Sequence, residues 1–417
     1  MAKFRILSLD GGGAWALIQA VALRELYGKR AKGHDVLKDF DLVAANSGGS
    51  IVLAGLLENL TLQTLLDDYF MDKDKRTMIF STDGVRRDLW TLIFSLFGLA
   101  PRYSTAAKLA GLKALLRNSG DVQVRDLPKM VKKSVGSSPQ FLICGFNYDT
   151  KRVAFFRSDS DSRSSSFATD SDATLAEAVN VSSTAPVRYF DAPAQIGTAR
   201  YWDGAVAGYN NPVLAAVVEA LANKIRAANI VALSIGTGSV RRPIRQPDQI
   251  DDTGLMVIPQ TSNPVNDVKE LAGAIVDDPP DAASYIAHVT LNQNLPQRQR
   301  QTVQGSLVRM SPMVQPIWTR YGWALPVGFT DDPDGGRTGL QKFLALADLD
   351  MDAVEQGDVM NIREFAEQWV KDGITNQAIR SNSETYRCEI GCPSFSRAKK
   401  VWLKLLVGRH RVSGMKR

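Results

Sequence analysis

The sequence predicts an α/β protein with a mainly parallel central sheet flanked by helices, followed by a helical, loop-rich C-terminal elaboration. Two observations lead to this class. Short apolar runs alternate with helical patterns over the first 60 residues, separated by glycine-rich turns, and further strand patterns recur later. Because successive strand–turn–helix units place their strands side by side in parallel, this order favours a sheet that is covered by helices.

The individual elements follow from periodicity and from end signals. In chain order they are strand FRILSLD, helix AWALIQAVALRELYG, strand FDLVAAN, helix SIVLAGLLENL, strands QFLICGFNYDT and RVAFFRS, helices TLAEAVNV and YNNPVLAAVVEAL, and strand NIVALSIGTG. Thr174 and Glu177 fit a capping box, and Asn211 with Pro212 suits a helix start. The polar run 157–172 has too few apolar side chains to be buried and is predicted to be a surface loop.

Three segments are predicted along the chain. Residues 1–240 form the α/β core. Residues 241–392 form the C-terminal elaboration packed on that core, because residues 240–340 are rich in Pro, Asp, Gln and Gly and helical patterning returns at 340–385. Residues 393–417 form a basic amphipathic tail.

Composition excludes several classes of protein. The 417 residues are 44% hydrophobic and 23% charged, which is ordinary globular usage. The net charge is +6, but the tail alone carries eight Lys or Arg and no Asp or Glu, so the rest is mildly acidic. A uniformly basic nucleic-acid-binding domain is therefore not expected. Three cysteines cannot build a disulfide framework, and the short apolar runs favour a cytoplasmic protein.

The first motif is the turn Asp10-Gly11-Gly12-Gly13 between a strand and a helix. Its backbone N–H groups would lie at a helix N-terminus, where they favour a phosphate or an oxyanion. A tight structural turn is the other interpretation. The glycine spacing fits neither a P-loop nor the dinucleotide fingerprint.

The second motif is Ala45-Asn46-Ser47-Gly48-Gly49, between a strand and a helix. This is the context of a nucleophile elbow, in which a sharp turn exposes the serine hydroxyl. The other interpretation is that Ser47 is a helix N-cap.

The third motif is Asp203-Gly204-Ala205, which taken alone is an ordinary turn. A nucleophilic serine needs a base and oxyanion donors, and His34, His288 and His410 lie in no recognisable motif. A Ser-Asp dyad therefore fits the visible residues better than a triad, which stays open.

These motifs resemble the patatin-like phospholipases, which are lipid acyl hydrolases with a Ser-Asp dyad. The resemblance covers residues 4–238 through five ordered stretches, SLDGGG, ANSGG, AVNVSSTAPVRYF, DGAVAGYNNP and LSIGTG. It implies that Ser47 is the nucleophile, that Asp203 is the base, and that the amides of Gly11, Gly12 and Gly13 form the oxyanion hole. It implies cleavage of fatty acyl esters through an acyl-enzyme, with no metal or cofactor.

Two departures from the family pattern are visible. The family usually has Arg or Lys followed by Gly where this chain has Trp15 and Ala16, and Ala45 replaces the first glycine of the elbow. They bear on head-group preference and on elbow geometry. The alternative function is a catalytically silent patatin-fold protein that binds lipid or a partner, and a phosphate or nucleotide binder using Gly11–Gly13 is a third.

A lipid hydrolase has membrane lipids as partners, and two segments suit a peripheral membrane location. Leu89–Ala100 is an apolar run flanked by arginines, either a core helix or a lipid-facing lid. In the tail, Val401, Trp402, Leu405 and Leu406 share one face beside lysines, which suits an anionic membrane surface. A solvated tail or a partner-binding helix is the other interpretation, and the oligomeric state is not predicted.

Overall fold

The structure is a computed structural model. It describes residues 3–85, 100–158, 172–245, 251, 253–259, 261–263, 267, 281–292, 306–320, 322–331, 336–376, 379–380 and 389–407. Three predicted features lie partly outside this set. They are the apolar run Leu89–Ala100, of which only Ala100 is described, the polar run at residues 159–171, and the tail at residues 408–417.

The strands are β1 (Phe4–Leu9), β2 (Leu42–Ala45), β3 (Gln140–Asn147), β4 (Arg152–Arg157), β5 (Ala194–Ile196), β6 (Ala199–Asp203), β7 (Ile230–Ile235), β8 (Ser239–Val240), β9 (Leu307–Met310), β10 (Pro312–Val314), β11 (Ile317–Thr319), β12 (Gly322–Ala324), β13 (Thr375–Asn376), β14 (Ile379–Arg380) and β15 (Glu389–Ile390).

The α-helices are α1 (Leu17–Tyr27), α2 (Gly33–Leu37), α3 (Gly48–Leu57), α4 (Leu62–Leu66), α5 (Lys73–Ile79), α6 (Thr105–Leu115), α7 (Leu127–Val135), α8 (Leu175–Ser182), α9 (Val213–Ala222), α10 (Asp281–Asn292), α11 (Gly339–Ala347), α12 (Gln356–Val370) and α13 (Phe395–Val407).

The central sheet confirms the predicted mainly parallel α/β fold. Its strand order is β5-β6-β3-β2-β1-β7-β9, and β4 also pairs with β3. The pairs β1–β2, β1–β7, β2–β3 and β7–β9 are parallel, whereas β4, β5 and β6 add antiparallel pairs at one side.

One edge of β3 is shared by two strands. β4 pairs along Leu142–Asn147, β2 pairs up to Ile143, and β6 pairs from Gly145 onwards. Because β4 occupies the opposite edge throughout, β6 must continue the line of β2 beyond its carboxyl end. The last residue of β6, Asp203, pairs with Gly145 and therefore arrives close to the turn that follows β2.

Helices cover both faces of the sheet. Successive side chains of a strand point to opposite faces, and apolar side chains occur on both. On β1, Leu7 and Leu9 belong to the larger core cluster, which includes α1, α3 and α8. Ile6 points the other way, into a smaller cluster with α9 and α10. The predicted capping box of α8 is confirmed in Thr174 and Glu177. The predicted start of α9 is one residue too early, because Pro212 is the N-cap and Val213 the first helical residue, while Asn211 accepts a bond from the amide of Val213.

The region after residue 240 adds to the sheet as well as packing on it. β9 pairs with β7 in the central sheet, and α12 lies against α1, where Arg24 forms an ion pair with Glu367 at 3.3 Å. The first two predicted segments therefore share one central sheet.

The described part of the tail is a core helix. Trp402 on α13 is fully buried and stacks on Phe40, with ring centroids 5.6 Å apart, and the Arg5 guanidinium donates to the carbonyl of Leu406 at 2.7 Å. The tail's apolar stripe, predicted to suit a membrane, packs instead on the protein because Trp402 finds its apolar partner there. In the described ranges no helix has both the length and the apolarity to cross a bilayer.

Replacing Trp402 with alanine should lower the free energy of unfolding by about 3–5 kcal/mol, the usual range for truncating a buried aromatic side chain. Urea denaturation measures this loss. Leu403→Ala is the matched control, because that neighbour is 39% exposed and should change stability by well under half as much. Equal losses in the two variants would contradict the core role of α13.

Candidate active site

Ser47 stands at the turn between β2 and α3 in a strained backbone conformation. Its φ of 49° and ψ of −124° lie where residues with a Cβ are rarely found. The strand end, the strained serine and the helix start reproduce the geometry of a nucleophile elbow. The serine side chain caps no amide of α3, so the simple N-cap interpretation fails.

The elbow needs small residues on both sides of Ser47. A Cβ at Gly49 would come within 2.4 Å of the Leu9 carbonyl oxygen, whereas Ala45 fits as a fully buried member of β2. The alanine that departs from the family pattern is therefore accommodated in a regular strand.

The glycine turn after β1 requires glycine at two positions. Gly12 has φ 152° and Gly13 has φ 55°, both unfavourable for other residues. A Cβ at Gly12 would meet the Thr237 hydroxyl at 2.4 Å, and one at Gly13 would meet the carbonyl oxygen of Met351 at 2.3 Å. The turn is thus fitted closely against its neighbours.

The three glycine amides are not equivalent. Gly11 donates its N–H to the carbonyl of Asn210 at 2.8 Å. Among the described residues, Gly12 and Gly13 have no such acceptor for their N–H groups. The turn lies against the elbow, because a Cβ at Gly11 would be 3.0 Å from the Cβ of Ser47.

Asp203 ends β6 beside the elbow and is buried. Its Oδ1 accepts bonds from the Asn46 amide at 3.0 Å and from the backbone N–H of Ala205 at 2.8 Å. Oδ2 has no hydrogen bond of standard geometry within the described part of the chain. One carboxylate oxygen is thus committed to structural donors, and the other is available for a proton.

The environment of Asp203 makes it a stronger base than a free aspartate. Burial raises the pKa of its carboxyl, and the bonds from the Ala205 and Asn46 amides, the nearby Ser47 hydroxyl and the charge of Lys108 oppose that shift. The net pKa is raised, so desolvation outweighs the donors. The Ser47 hydroxyl therefore lies near this carboxylate without a hydrogen bond of standard geometry to it.

A buried chain of hydrogen bonds connects the elbow to Asp203. The backbone N–H of Ser47 donates to the Ser182 hydroxyl at 2.9 Å, the Ser182 hydroxyl donates to the Asn46 side-chain oxygen at 3.4 Å, and Asn46 donates to Asp203. Sequence reasoning missed both Asn46 and Ser182 as site residues. Each lies inside a stretch that resembles the family, which was the available signal.

Lys108 on α6 is a third residue that sequence reasoning missed. Its ammonium group is fully buried and donates to the Asn180 carbonyl at 3.1 Å and to the hydroxyls of Ser183 at 3.2 Å and Thr184 at 2.6 Å. It also lies 3.9 Å from the centroid of the Phe190 ring. No motif surrounds Lys108, so the sequence offered no signal for it.

Lys108 and Asp203 act on each other through a shared segment. The carbonyl of Thr184 accepts the backbone N–H of Asp203 at 2.9 Å, and its hydroxyl accepts from Lys108. Burial lowers the pKa of Lys108 well below its ordinary value, while the charge of Asp203 raises it. The lysine is therefore the cation that partly offsets the buried carboxylate.

Asp10, which precedes the glycine turn, forms a buried ion pair. The Arg309 guanidinium lies 2.6 Å from its carboxylate, and both side chains are almost fully buried. Arg309 also donates to the Ser234 hydroxyl at 2.7 Å. The C-terminal region, through β9, thereby stabilises the start of the turn.

A cavity of about 310 Å³ lies over the glycine turn. Gly11, Gly12, Asn210 and Thr237 line one side, and the segment Leu349–Met351 lines another. Neither Ser47 nor Asp203 is in the described lining.

The segment from Leu349 to Asp352 is held over the turn by several bonds. Its backbone accepts from the Ala14 amide at 2.9 Å and from the Trp15 indole N–H at 3.1 Å. Arg102 and Arg188 form ion pairs with its carboxylates at 2.8 and 2.9 Å. Trp15, which replaces the family's usual basic residue, therefore ties the turn to the C-terminal region.

The two described histidines form their hydrogen bonds with residues other than Ser47 and Asp203. His34 bonds to the carbonyl of Leu57 at 3.1 Å, and His288 lies beside Asn292 at 3.3 Å; burial lowers the pKa of both. His410 is outside the described residues. In the part of the chain that the structure covers, no cluster of three His, Cys, Asp or Glu side chains is placed to bind a metal ion.

Comparison with known families decides where this geometry belongs. A family model described as patatin-like phospholipase matches residues 7–217 of the 417, a span that contains the glycine turn, Ser47 and Asp203. The chain belongs to the patatin-like phospholipase family. The predicted resemblance is confirmed.

Individual relatives of the family are distant. An intracellular phospholipase A2 of Caenorhabditis elegans is 34% identical over 74 residues, which is 18% of this chain and only 7% of the worm protein. VipD from Legionella pneumophila has a TM-score of 0.33 at 11% identity, over 88% of this chain and 67% of VipD. The type III effector protein ExoU has a TM-score of 0.23 at 15% identity, over 43% of this chain and 40% of ExoU.

Relieving the strain at Ser47 should stabilise the protein. Ser47→Gly should have a free energy of unfolding about 1 kcal/mol higher than Ser47→Ala, because only glycine adopts this φ without strain. Urea denaturation measures the difference. At Ser50, inside α3, the same glycine-for-alanine comparison should have the opposite sign. A Ser47→Gly variant less stable than Ser47→Ala would contradict strain at the elbow.

Asp203→Asn should be more stable than the unmodified protein at neutral pH. Because the folded pKa of Asp203 is raised, the folded state keeps a proton that the unfolded state loses as pH rises above about 3.8, and stability falls across that window. The variant carries no charge to bury, so its advantage should appear above that pH and grow until the folded pKa is passed.

Denaturation from pH 4 to pH 8 tests this pH dependence. Asp149→Asn is the control of opposite sign, since a bond from Arg200 lowers the pKa of Asp149. An Asp203→Asn variant with no pH-dependent gain would contradict the raised pKa.

Proposed function

We propose that the protein is a lipid acyl hydrolase of the phospholipase or lysophospholipase type, a serine carboxylic-ester hydrolase working through Ser47 and Asp203. The observation that carries the proposal is the burial of Asp203 beside the Ser47 elbow, with an Oδ2 that has no hydrogen bond of standard geometry among the described residues and a carboxyl pKa that burial raises. A base is most effective when its pKa lies close to the working pH. Membership of the patatin-like phospholipase family supports the lipid ester as substrate.

In the first half of the proposed reaction, the Ser47 oxygen attacks the acyl carbonyl carbon while its proton passes to Oδ2 of Asp203. The oxyanion that forms accepts hydrogen bonds from the amides of Gly12 and Gly13. Each such donor is commonly worth about 3–4 kcal/mol of transition-state stabilisation. Gly11 is left out of this set because its N–H is donated to Asn210.

The intermediate then collapses, and Asp203 returns the proton to the departing alcohol oxygen as the carbon–oxygen bond breaks. The acyl group remains on Ser47. In the second half, Asp203 takes a proton from water, the resulting hydroxide attacks the acyl-enzyme, and the fatty acid leaves as the Ser47 hydroxyl is restored. The N-terminus of α3 lies at Ser47, and its dipole favours the negative charge that develops there.

Other site residues position this pair. The chain of hydrogen bonds through Asn46 and Ser182 orients the carboxylate and the elbow, and the buried amine of Lys108 interacts with the base. We assign the cavity over the glycine turn to the substrate, since Gly12 lines it and offers an N–H without an acceptor among the described residues.

Labelling with a fluorophosphonate probe and hydrolysis of a lipid panel, read by mass spectrometry, test the proposal. Ser47→Ala should lose both labelling and turnover, and Asp203→Asn should reduce turnover by roughly 10²- to 10⁴-fold, as expected for loss of a general base. Ser134→Ala, an exposed serine on α7, is the matched control and should behave as the unmodified protein.

Two outcomes would contradict this mechanism. Labelling that persists in Ser47→Ala would move the nucleophile elsewhere, and undiminished turnover in Asp203→Asn would remove it as the base. A folded protein that neither labels nor hydrolyses any lipid would favour the catalytically silent alternative.

A further inference from the structure

Thr237 lies in the stretch LSIGTG, which resembles the family but has no part in the proposed reaction. It is the second residue after β7, and it is half-buried at the wall of the cavity. Its hydroxyl donates to the carbonyl oxygen of Gly11 at 2.8 Å. A side chain that follows β7 therefore binds the backbone of the glycine turn that follows β1.

The sheet register places this threonine and the elbow serine on opposite sides of the glycine turn. β1 lies between β2 and β7, and Leu9 of β1 is paired with both Ala45 of β2 and Ile235 of β7. Two residues beyond these three positions come Gly11, the elbow serine and Thr237. The turn is therefore flanked by the elbow on the β2 side and by the threonine on the β7 side.

The bond to the Gly11 carbonyl fixes the direction of the Gly12 N–H. The C=O of one residue and the N–H of the next belong to one planar trans peptide, in which they point in opposite directions. Because the Gly11 carbonyl points toward Thr237 and β7, the Gly12 N–H points toward β2 and the elbow. This N–H has no backbone acceptor among the described residues.

The other proposed oxyanion donor, the Gly13 N–H, is oriented by the backbone alone. The carbonyl of its peptide, which belongs to Gly12, accepts the N–H of Trp15 at 3.0 Å within the same turn. The two donors therefore differ in what holds them: a side chain distant in the sequence fixes the Gly12 N–H, and a local backbone bond fixes the Gly13 N–H.

Thr237 is itself held in place on both sides. The N–H of Gly236 donates to the last carbonyl of β9 at 2.8 Å, and the N–H of Gly238 donates to the Ser311 hydroxyl at 3.2 Å. The threonine side chain also packs on the turn, since a Cβ at Gly12 would lie 2.4 Å from its hydroxyl oxygen and 2.8 Å from its γ-methyl. The hydroxyl is therefore a fixed partner for the turn.

We propose that Thr237 is a positioning residue of the oxyanion hole, which aims the Gly12 N–H at the oxyanion by holding the carbonyl of the same peptide. The inference rests on the proposed function. A hydrogen bond to the carbonyl also polarises the peptide, so the N–H becomes a stronger donor. Removing a whole oxyanion donor lowers kcat by roughly 10²- to 10³-fold, and a donor that is kept but no longer held should lose part of that factor.

Two pairs of side chains isolate the hydroxyl at position 237. Thr and Val are similar in shape, Ser and Ala form a smaller pair, and within each pair only one member has a hydroxyl donor. With a short soluble ester, Thr237→Val should lower kcat about tenfold or more and change KM less than about twofold, since the lost interaction acts in the transition state. Thr237→Ser should keep kcat within about threefold of the unmodified protein, and Thr237→Ala should fall below it as Thr237→Val does.

Thr375→Val is the matched control. The hydroxyl of Thr375 on β13 likewise donates to a distant backbone carbonyl, that of Met313, at 2.9 Å. Because this bond does not hold an oxyanion donor, its loss should change kcat less than about twofold.

A second measurement detects the hydrogen bond without turnover. In protein labelled with carbonyl-¹³C, ¹⁵N-glycine, nuclear magnetic resonance spectra that correlate a carbonyl with the next N–H select Gly-Gly peptides, of which the sequence has four. The peak of the peptide between Gly11 and Gly12 should move in Thr237→Val and Thr237→Ala and return in Thr237→Ser. It should move further than the peak of the peptide between Gly48 and Gly49, which keeps its partners.

Four outcomes would overturn the positioning role: an unchanged kcat in Thr237→Val, a raised KM with unchanged kcat, a loss in Thr237→Ser as large as in Thr237→Ala, or a Gly11 carbonyl peak that does not respond to the hydroxyl. Hydrolysis by the unmodified protein with any of these results would overturn that role alone. An unmodified protein that hydrolyses no ester would overturn the proposed function, and the positioning role with it, even if the spectra show the bond.

Discussion

The buried carboxylate of Asp203 is the constraint on which the site depends. A charge removed from water has to be stabilised by neighbouring donors and cations, or else its pKa rises. Here the donors come from the elbow and from the turn after β6, and the cation is Lys108 of α6. The arrangement exists because β2 and β6 share one edge of β3, which brings two distant strand ends together.

Strain and buried charge are concentrated in this small region. The positive φ of Ser47, the two special glycine conformations and the Asp10–Arg309 pair all lie at the carboxyl ends of parallel strands. Such features persist only where surrounding structure determines them fully. The sheet and the chain of hydrogen bonds through Ser182 supply that surrounding structure. The carboxyl end of a parallel sheet is also where α/β folds usually bind ligands.

The C-terminal region is part of this construction. β9 completes the sheet and carries Arg309, while the segment Leu349–Asp352 accepts bonds from Ala14 and Trp15 and closes one side of the cavity. The same region carries the smaller strands β10–β12. The glycine turn is therefore supported by residues more than 200 positions away in the chain.

The amino-acid sequence was sufficient for several elements and for the motifs, because periodicity, glycine spacing and capping residues act over a few neighbouring positions. It predicted β1, the elbow, α8 with its cap, and the family. It could not show that β6 continues the line of β2, that Lys108 lies near Asp203, or that the Gly11 N–H donates to the carbonyl of Asn210. These contacts join residues far apart in the chain. The tail stripe shows the same limit: an amphipathic pattern states that one face seeks apolar surroundings, and only the folded chain decides whether Trp402 finds them in Phe40 or in a membrane.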